Sequence, residues 1–140
     1  MWGACVVFFG VWASLLVGWD VCFSRLPNVL TYTGFAVAIV VAVAAGDPLA
    51  ILGGVAWSAL YIASGYISGG VGGGDVKLAA SLGILAATCG WRGWLVAVGG
   101  ASLSTVILLL ITRRHAMPHG PGMIGATALV VLWHHYAGVM

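Results

Sequence analysis

The chain alternates long apolar stretches with short polar interruptions, and the apolar runs predict six helices. They are Trp2 to Trp19, Val29 to Gly46, Leu49 to Ser68, about Asp75 to Gly90, Trp94 to Thr112, and about Pro121 to Tyr136. A helix of about 20 apolar residues crosses a hydrocarbon core of about 30 Å, and these runs approach that length. In lipid the backbone must satisfy its own hydrogen bonds, and a barrel would show short alternating strands instead of continuous apolar runs. The fold class is therefore all-α: a polytopic membrane protein with about six transmembrane helices, read as one domain over residues 1–140. The interruptions "DVCFSRLPN", "DP", "GGVGGG", "CGWRG" and "RRHAMPHGP" each carry Gly or Pro where a helix would stop. Only a short uncharged stretch separates Lys77 from Arg92, so the fourth helix must begin close to Asp75, with Lys77 snorkelling toward the headgroups.

Composition sharpens this picture. Of 140 residues 62% are hydrophobic and 6% charged, against about 25% charged in a soluble domain, and mean hydropathy is +1.13. The net charge of +2 is small and dispersed, which argues against a nucleic-acid partner. The first run lacks a basic leader and a small-residue cleavage site, so it reads as a retained helix and not as a signal peptide. Arg25, Lys77, Arg113 and Arg114 fall in connectors one, three and five, and only Arg92 falls on the opposite side. By the positive-inside rule both termini are outside and the odd-numbered connectors face the cytoplasm. Trp2, Trp19, Trp57, Trp91, Trp94 and Trp133 read mostly as an aromatic belt near the span ends. Cys5, Cys22 and Cys89 form no CxxC and read as apolar packing residues. Cys5 and Cys89 both map to the outer side, where a disulfide between them is chemically permitted.

The acidic residues carry the candidate chemistry. Asp20 and Asp75 fall on the cytoplasmic side, whereas Asp47, before Pro48, falls on the other and reads as a turn residue. Two carboxyls within reach of each other share a proton, and such a dyad can hydrolyse an amide. The ionised member takes a proton from water while the protonated member polarises the scissile carbonyl. Gly69, Gly70, Gly72, Gly73 and Gly74 lack a Cβ and would let a substrate backbone approach Asp75. Plainer readings stand beside this one. Asp75 after glycines suits a helix N-cap, Asp20 suits an interface residue starting a turn, and Asn28 suits a cap for the second helix. Arg25 and Lys77 either adjust the dyad and touch substrate or simply anchor topology. His115 and His119 share a four-residue spacing suited to metal ligands on a helix, but Pro118 and Gly120 oppose a helix there, and no metal or other cofactor is expected. Intramembrane carboxylates also suit a small proton- or cation-coupled transporter, and this alternative remains open on the residues alone.

Three segments resemble one family. "DVCFSRLPN" resembles the Asp-x-x-x-x-(Lys/Arg)-(Ile/Leu)-Pro-Asn segment of type IV prepilin peptidases, "GGGDVKLAASLG" their Gly-x-Gly-Asp signature with its Val-Lys-Leu helix, and "MPHGPGMIGAT" their (Ile/Met)-Pro-(Phe/Tyr/His)-Gly-Pro segment. The order is the family's, and the spans between cover essentially the whole chain. The resemblance implies an intramembrane aspartyl endopeptidase that removes the basic leader of prepilin-like proteins at the cytoplasmic face of the inner membrane. It implies Asp20 and Asp75 as the catalytic pair and Gly72 and Gly74 as the motif glycines. Lys77, Arg25, Pro27, Asn28, Gly120 and Pro121 are the remaining substrate-binding or site-shaping candidates. Implied partners are a prepilin or pseudopilin substrate and the lipid bilayer, with a homodimer left open. Larger members carry an N-terminal zinc-binding insert and many methylate the new N-terminus. No such insert precedes Trp2, so the chain resembles the short peptidase-only form of tight-adherence or Flp-type pilus systems, for which a methyltransferase activity is not implied.

Overall fold

A computed structural model of the chain describes residues 2–113 and 118–138, without the side chain of Trp2. Arg114, His115 and Met117, which figure in the topology, metal-spacing and family-segment expectations, lie outside the described residues, as does the Trp2 ring. The rest is all-α. The α-helices are α1 (Trp2–Phe23), α2 (Asn28–Ala44), α3 (Ile51–Ser68), α4 (Gly73–Ala87), α5 (Gly90–Thr112) and α6 (Gly120–Ala137), and a short 3₁₀ turn (Pro48–Ala50) leads into α3.

All six expected helices are present, with shifted ends. α1 runs past Trp19 through Asp20 to Phe23, because nothing before Pro27 breaks a helix and one carboxyl does not. α5 begins at Gly90, so Arg92 lies within its first turn and the connector before it is shorter than expected. By length and apolarity alone three segments suffice to cross a bilayer: Gly3–Phe23, Pro48–Ser68 and Gly90–Thr112. α2 is a shorter apolar helix, and α4, with 15 residues, is about 22 Å long. The protein is an integral membrane protein. Its outward surface is dense in exposed Val, Ile and Leu side chains, such as Val29, Ile67, Leu110 and Ile111, which lipid accommodates and water would not.

The shortest helix occupies the centre. α4 packs on α2, α3, α5 and α6, and Leu78, Ala79, Ser81, Leu82, Gly83, Ile84 and Ala86 are all buried along it. Small residues permit this: a Cβ on Gly83 would lie 2.6 Å from the Gly53 carbonyl oxygen and 2.8 Å from the Gly54 Cα, so α3 and α4 touch backbone to backbone. The outer helix α1 packs chiefly on α6 and α2. Its Trp12 Nε1 donates to the Leu30 carbonyl at 2.8 Å, a bond from mid-helix to the start of α2.

Several sequence expectations change here. Trp57 is fully buried in α3 and is a core residue, not a belt residue, whereas Trp19, Trp91 and Trp133 are exposed as a belt requires. Cys5, Cys22 and Cys89 are all free, so no Cys5–Cys89 disulfide forms. Cys5 is exposed on α1 and Cys89 is buried between α4 and α5, helices on which α1 does not mainly pack. Asn28 does not cap α2: Pro27 is the N-cap residue and Asn28 the first helical one, without a side-chain cap bond.

Candidate functional site

Helix register delivers Asp20. The inward stripe of α1 is Phe9, Trp12, Ala13, Leu16, Val17 and then Asp20, at the three- and four-residue spacing of one helix face. Because the apolar members of that stripe pack, continuing the helix by one turn carries the carboxyl inward, where it is 5% exposed. The chain then leaves the helix at Ser24, which takes φ 50° while its N–H still bonds the Asp20 carbonyl at 2.8 Å. The Asp20 side chain abuts the first residue of α6. A Cβ on Gly120 would lie 2.5 Å from Oδ2, so glycine is required by space and not by φ. The Gly120 N–H faces the same carboxyl, short of a well-formed hydrogen bond, and Oδ2 has no hydrogen-bond partner among the described residues.

Asp75 arrives on α4, in the first turn after Gly72. It is not an N-cap. The N-cap residue is Gly72, no side chain caps the helix, and the Asp75 N–H itself bonds the Gly72 carbonyl at 3.1 Å. The carboxylate is therefore not spent on its own helix. Two helix N-termini, those of α4 and α6, set their positive ends beside the two carboxyls, which offsets negative charge there.

Asp20 and Asp75 line one cavity of about 650 Å³, open at the end of the bundle where connectors one, three and five meet. Its rim is Ser24, Arg25, Leu26 and Asn28 on one side and Gly70, Gly72, Gly73 and Gly74 on another, closed by Leu109, Pro118 and His119. The carboxyls interact electrostatically with one another, and His119 interacts with both. The glycine edge faces open space: a Cβ on Gly73 would meet nothing within 4 Å, and one on Gly72 only Asp75 Oδ2 at 3.8 Å. Gly74 differs, since its Cβ would sit 3.0 Å from that of Leu26. Asp47 lies at the other end, beside Trp91 and Trp94 in a shallower hollow.

Of the other candidates, Arg25, Asn28, Gly72 and Gly74 line the cavity, and Gly120 backs Asp20. Pro27, Lys77 and Pro121 do not line it. Pro27 and Pro121 instead set the starts of α2 and α6. The Lys77 Nζ donates to Asn28 Oδ1 at 2.8 Å and lies 5.1 Å from the Tyr32 ring centroid, so it ties the start of α2 to the start of α4 and does not contact the dyad. Among the described residues no three His, Cys, Asp or Glu side chains gather as a metal site.

Two neighbours of the dyad were not found from sequence. Tyr61 on α3 interacts electrostatically with Asp75 and faces Trp57, whose buried Nε1 has no well-formed hydrogen bond. His119 enters the sequence pattern as one of two histidines at metal-ligand spacing, and its place in the Pro-His-Gly-Pro segment is the signal that points to the site.

A family model described as the type IV leader peptidase family matches residues 7–112. No curated protein and no solved structure matches the chain. The matched stretch contains both aspartates, while His119 and α6 follow it in sequence and pack against it.

Proposed function

This chain belongs to the type IV leader peptidase family, and from that premise we propose that residues 1–140 form one aspartyl intramembrane endopeptidase that removes the leader of a prepilin or pseudopilin. The observation that carries the proposal is the meeting of Asp20 and Asp75, from helices far apart in sequence, in a single cavity with a bare glycine edge.

The dyad holds one proton between its two carboxyls. A water between them attacks the scissile carbonyl carbon: the ionised carboxylate accepts the water proton, and the protonated carboxyl gives its proton to the carbonyl oxygen as the C–O bond forms. Collapse of the tetrahedral intermediate breaks the C–N bond, the nitrogen takes a proton from the carboxyl that accepted it from water, and the hydroxyl proton returns to the other, restoring the singly protonated pair. The unpartnered Asp20 Oδ2 suits this exchange, since no donor among the described residues occupies it. The open edge at Gly70, Gly72 and Gly73 suits an extended substrate segment, whose backbone would take the space a Cβ would fill.

Cleavage takes place at the cytoplasmic side. Arg25 lies at the cavity end, with Lys77 near the start of α4 and Arg113 just past the end of α5, whereas Arg92 lies at the opposite end, and basic residues collect at the cytoplasmic ends of spans. Both termini lie outside by the same asymmetry, and the inner membrane is part of the leader-peptidase reading. Lys77 and Asn28 act as a positioning pair that holds the α4 start, and with it Asp75, against α2.

Co-expression with a candidate prepilin, read by the mass of the product, tests the proposal. Wild type removes the leader, whereas Asp20→Asn and Asp75→Asn, which keep size and hydrogen bonding but cannot exchange the proton, leave it intact while still inserted. Normal processing by either inserted variant overturns the aspartyl mechanism. Proton flux in liposomes that depends on Asp75, without proteolysis, would favour the transporter instead.

A further inference from the structure

The cavity holds a third ionisable side chain that the dyad mechanism above does not use. His119 is the N-cap residue of α6 and lines the cavity together with Asp20 and Asp75. Its ring is anchored from α5. The buried Thr105 hydroxyl donates to the Ala101 carbonyl at 3.1 Å, which commits its one proton. The 3.3 Å contact between Thr105 Oγ1 and His119 Nδ1 therefore has the ring nitrogen as donor. With Nδ1 carrying a proton in either charge state, gain and loss of charge take place at Nε2.

We propose that His119 is a functional member of the site: as imidazolium it supplies the positive charge that keeps one aspartate ionised in acid, extending cleavage to lower pH than the two carboxyls alone allow. The effect on cleavage rests on the peptidase reading. Among the described residues, the charged and titratable groups around His119 are Asp20 from α1, Asp75 from α4, Arg25 on the cavity rim, and Tyr61 from α3 behind Asp75. Thr105 from α5 is uncharged, and His134 and His135 sit in the last turn of α6, at its other end. Lys77 is turned to Asn28 and Tyr32. Among the described residues, His119 and Arg25 on the rim are thus the cationic side chains beside the dyad. An opposite charge at close range changes the ionisation of a carboxyl by about one pH unit or more.

The experiment has two readouts. In the first, leader cleavage is followed from pH 4 to pH 8 for wild type, His119→Gln and His119→Lys. His119→Gln should move the acid limb of the rate profile up by about one pH unit, a loss of about tenfold at pH 5 relative to the variant's own plateau. His119→Lys should restore the acid limb. An unmoved limb in His119→Gln, or a rate lowered equally at every pH, overturns the proposal, because a merely structural histidine would do the latter. The second readout needs no activity: the NMR titration of the His119 ring, assigned by its absence in His119→Gln, is compared with that in the Asp20→Asn, Asp75→Asn double variant. Coupling between sites is reciprocal, so the midpoint should fall by a similar amount when the carboxyls are neutralised. An unmoved midpoint overturns the proposal even in an active enzyme. A shifted midpoint in a chain that cleaves no prepilin supports the coupling and overturns the peptidase reading instead.

Discussion

Substituting Gly120 by alanine tests the geometry of the site with a single methyl group. Gly120 is the first residue of α6 and has an ordinary negative φ, so its backbone accepts alanine. The penalty comes from Asp20. The new Cβ would stand 2.5 Å from Oδ2, and ordinary contact begins at 3.4 Å, so the carboxyl or the start of α6 must retreat by about 0.9 Å. A catalytic group displaced by about 1 Å loses about 100-fold in rate, whereas the stability of the chain is left nearly unchanged. The assay is leader removal from a prepilin under conditions where membrane insertion and thermal unfolding are measured in parallel. Gly125→Ala is the control, since it lies on the same helix and its Cβ would meet nothing within 4 Å. Cleavage by Gly120→Ala within threefold of wild type would refute the reasoning, because Asp20 would then tolerate displacement that an aligned dyad cannot. Loss of insertion in Gly120→Ala but not in Gly125→Ala would refute it differently, by showing that the contact is needed for folding and not only for alignment.

Three further outcomes are expected. Gly83→Ala forces the α3 and α4 backbones apart at their closest point and should lower unfolding stability by about 1–3 kcal/mol in a detergent denaturation series, and an unchanged midpoint would contradict the packing. Lys77→Met and Asn28→Ala each break the same 2.8 Å bond, so each should lower cleavage by about threefold to tenfold and the double variant by little more than either, whereas fully additive losses would show that the pair does not act as one. Cys5 and Cys22 are free and exposed near opposite ends of α1, about 26 Å apart along the helix. A membrane-impermeant maleimide should label Cys5 from outside and Cys22 only from the cytoplasmic side, and the reverse pattern would invert the topology.

The apolar runs alone settled that the chain is helical, the number of α-helices among the described residues, and in what order the connectors alternate between two ends. That alternation already placed Asp20 and Asp75 at one end and Asp47 at the other, because successive antiparallel helices deliver alternate connectors to opposite ends of a bundle. The glycine cluster marked the start of α4 to within two residues. Tertiary structure decided which face of each helix looks inward. In water an amphipathic stripe announces that face, but lipid is as apolar as a helix interface, so the buried Leu78 and the exposed Leu110 read alike in sequence. This is why the burial of Trp57, the central place of α4 and the carriage of Asp20 inward on α1 were not legible. The same limit hid the surroundings of the dyad. His119, Thr105 and Tyr61 come to Asp20 and Asp75 from α6, α5 and α3 by packing, through contacts that depend on helix rotation and close approach and leave no periodic trace in the order of residues.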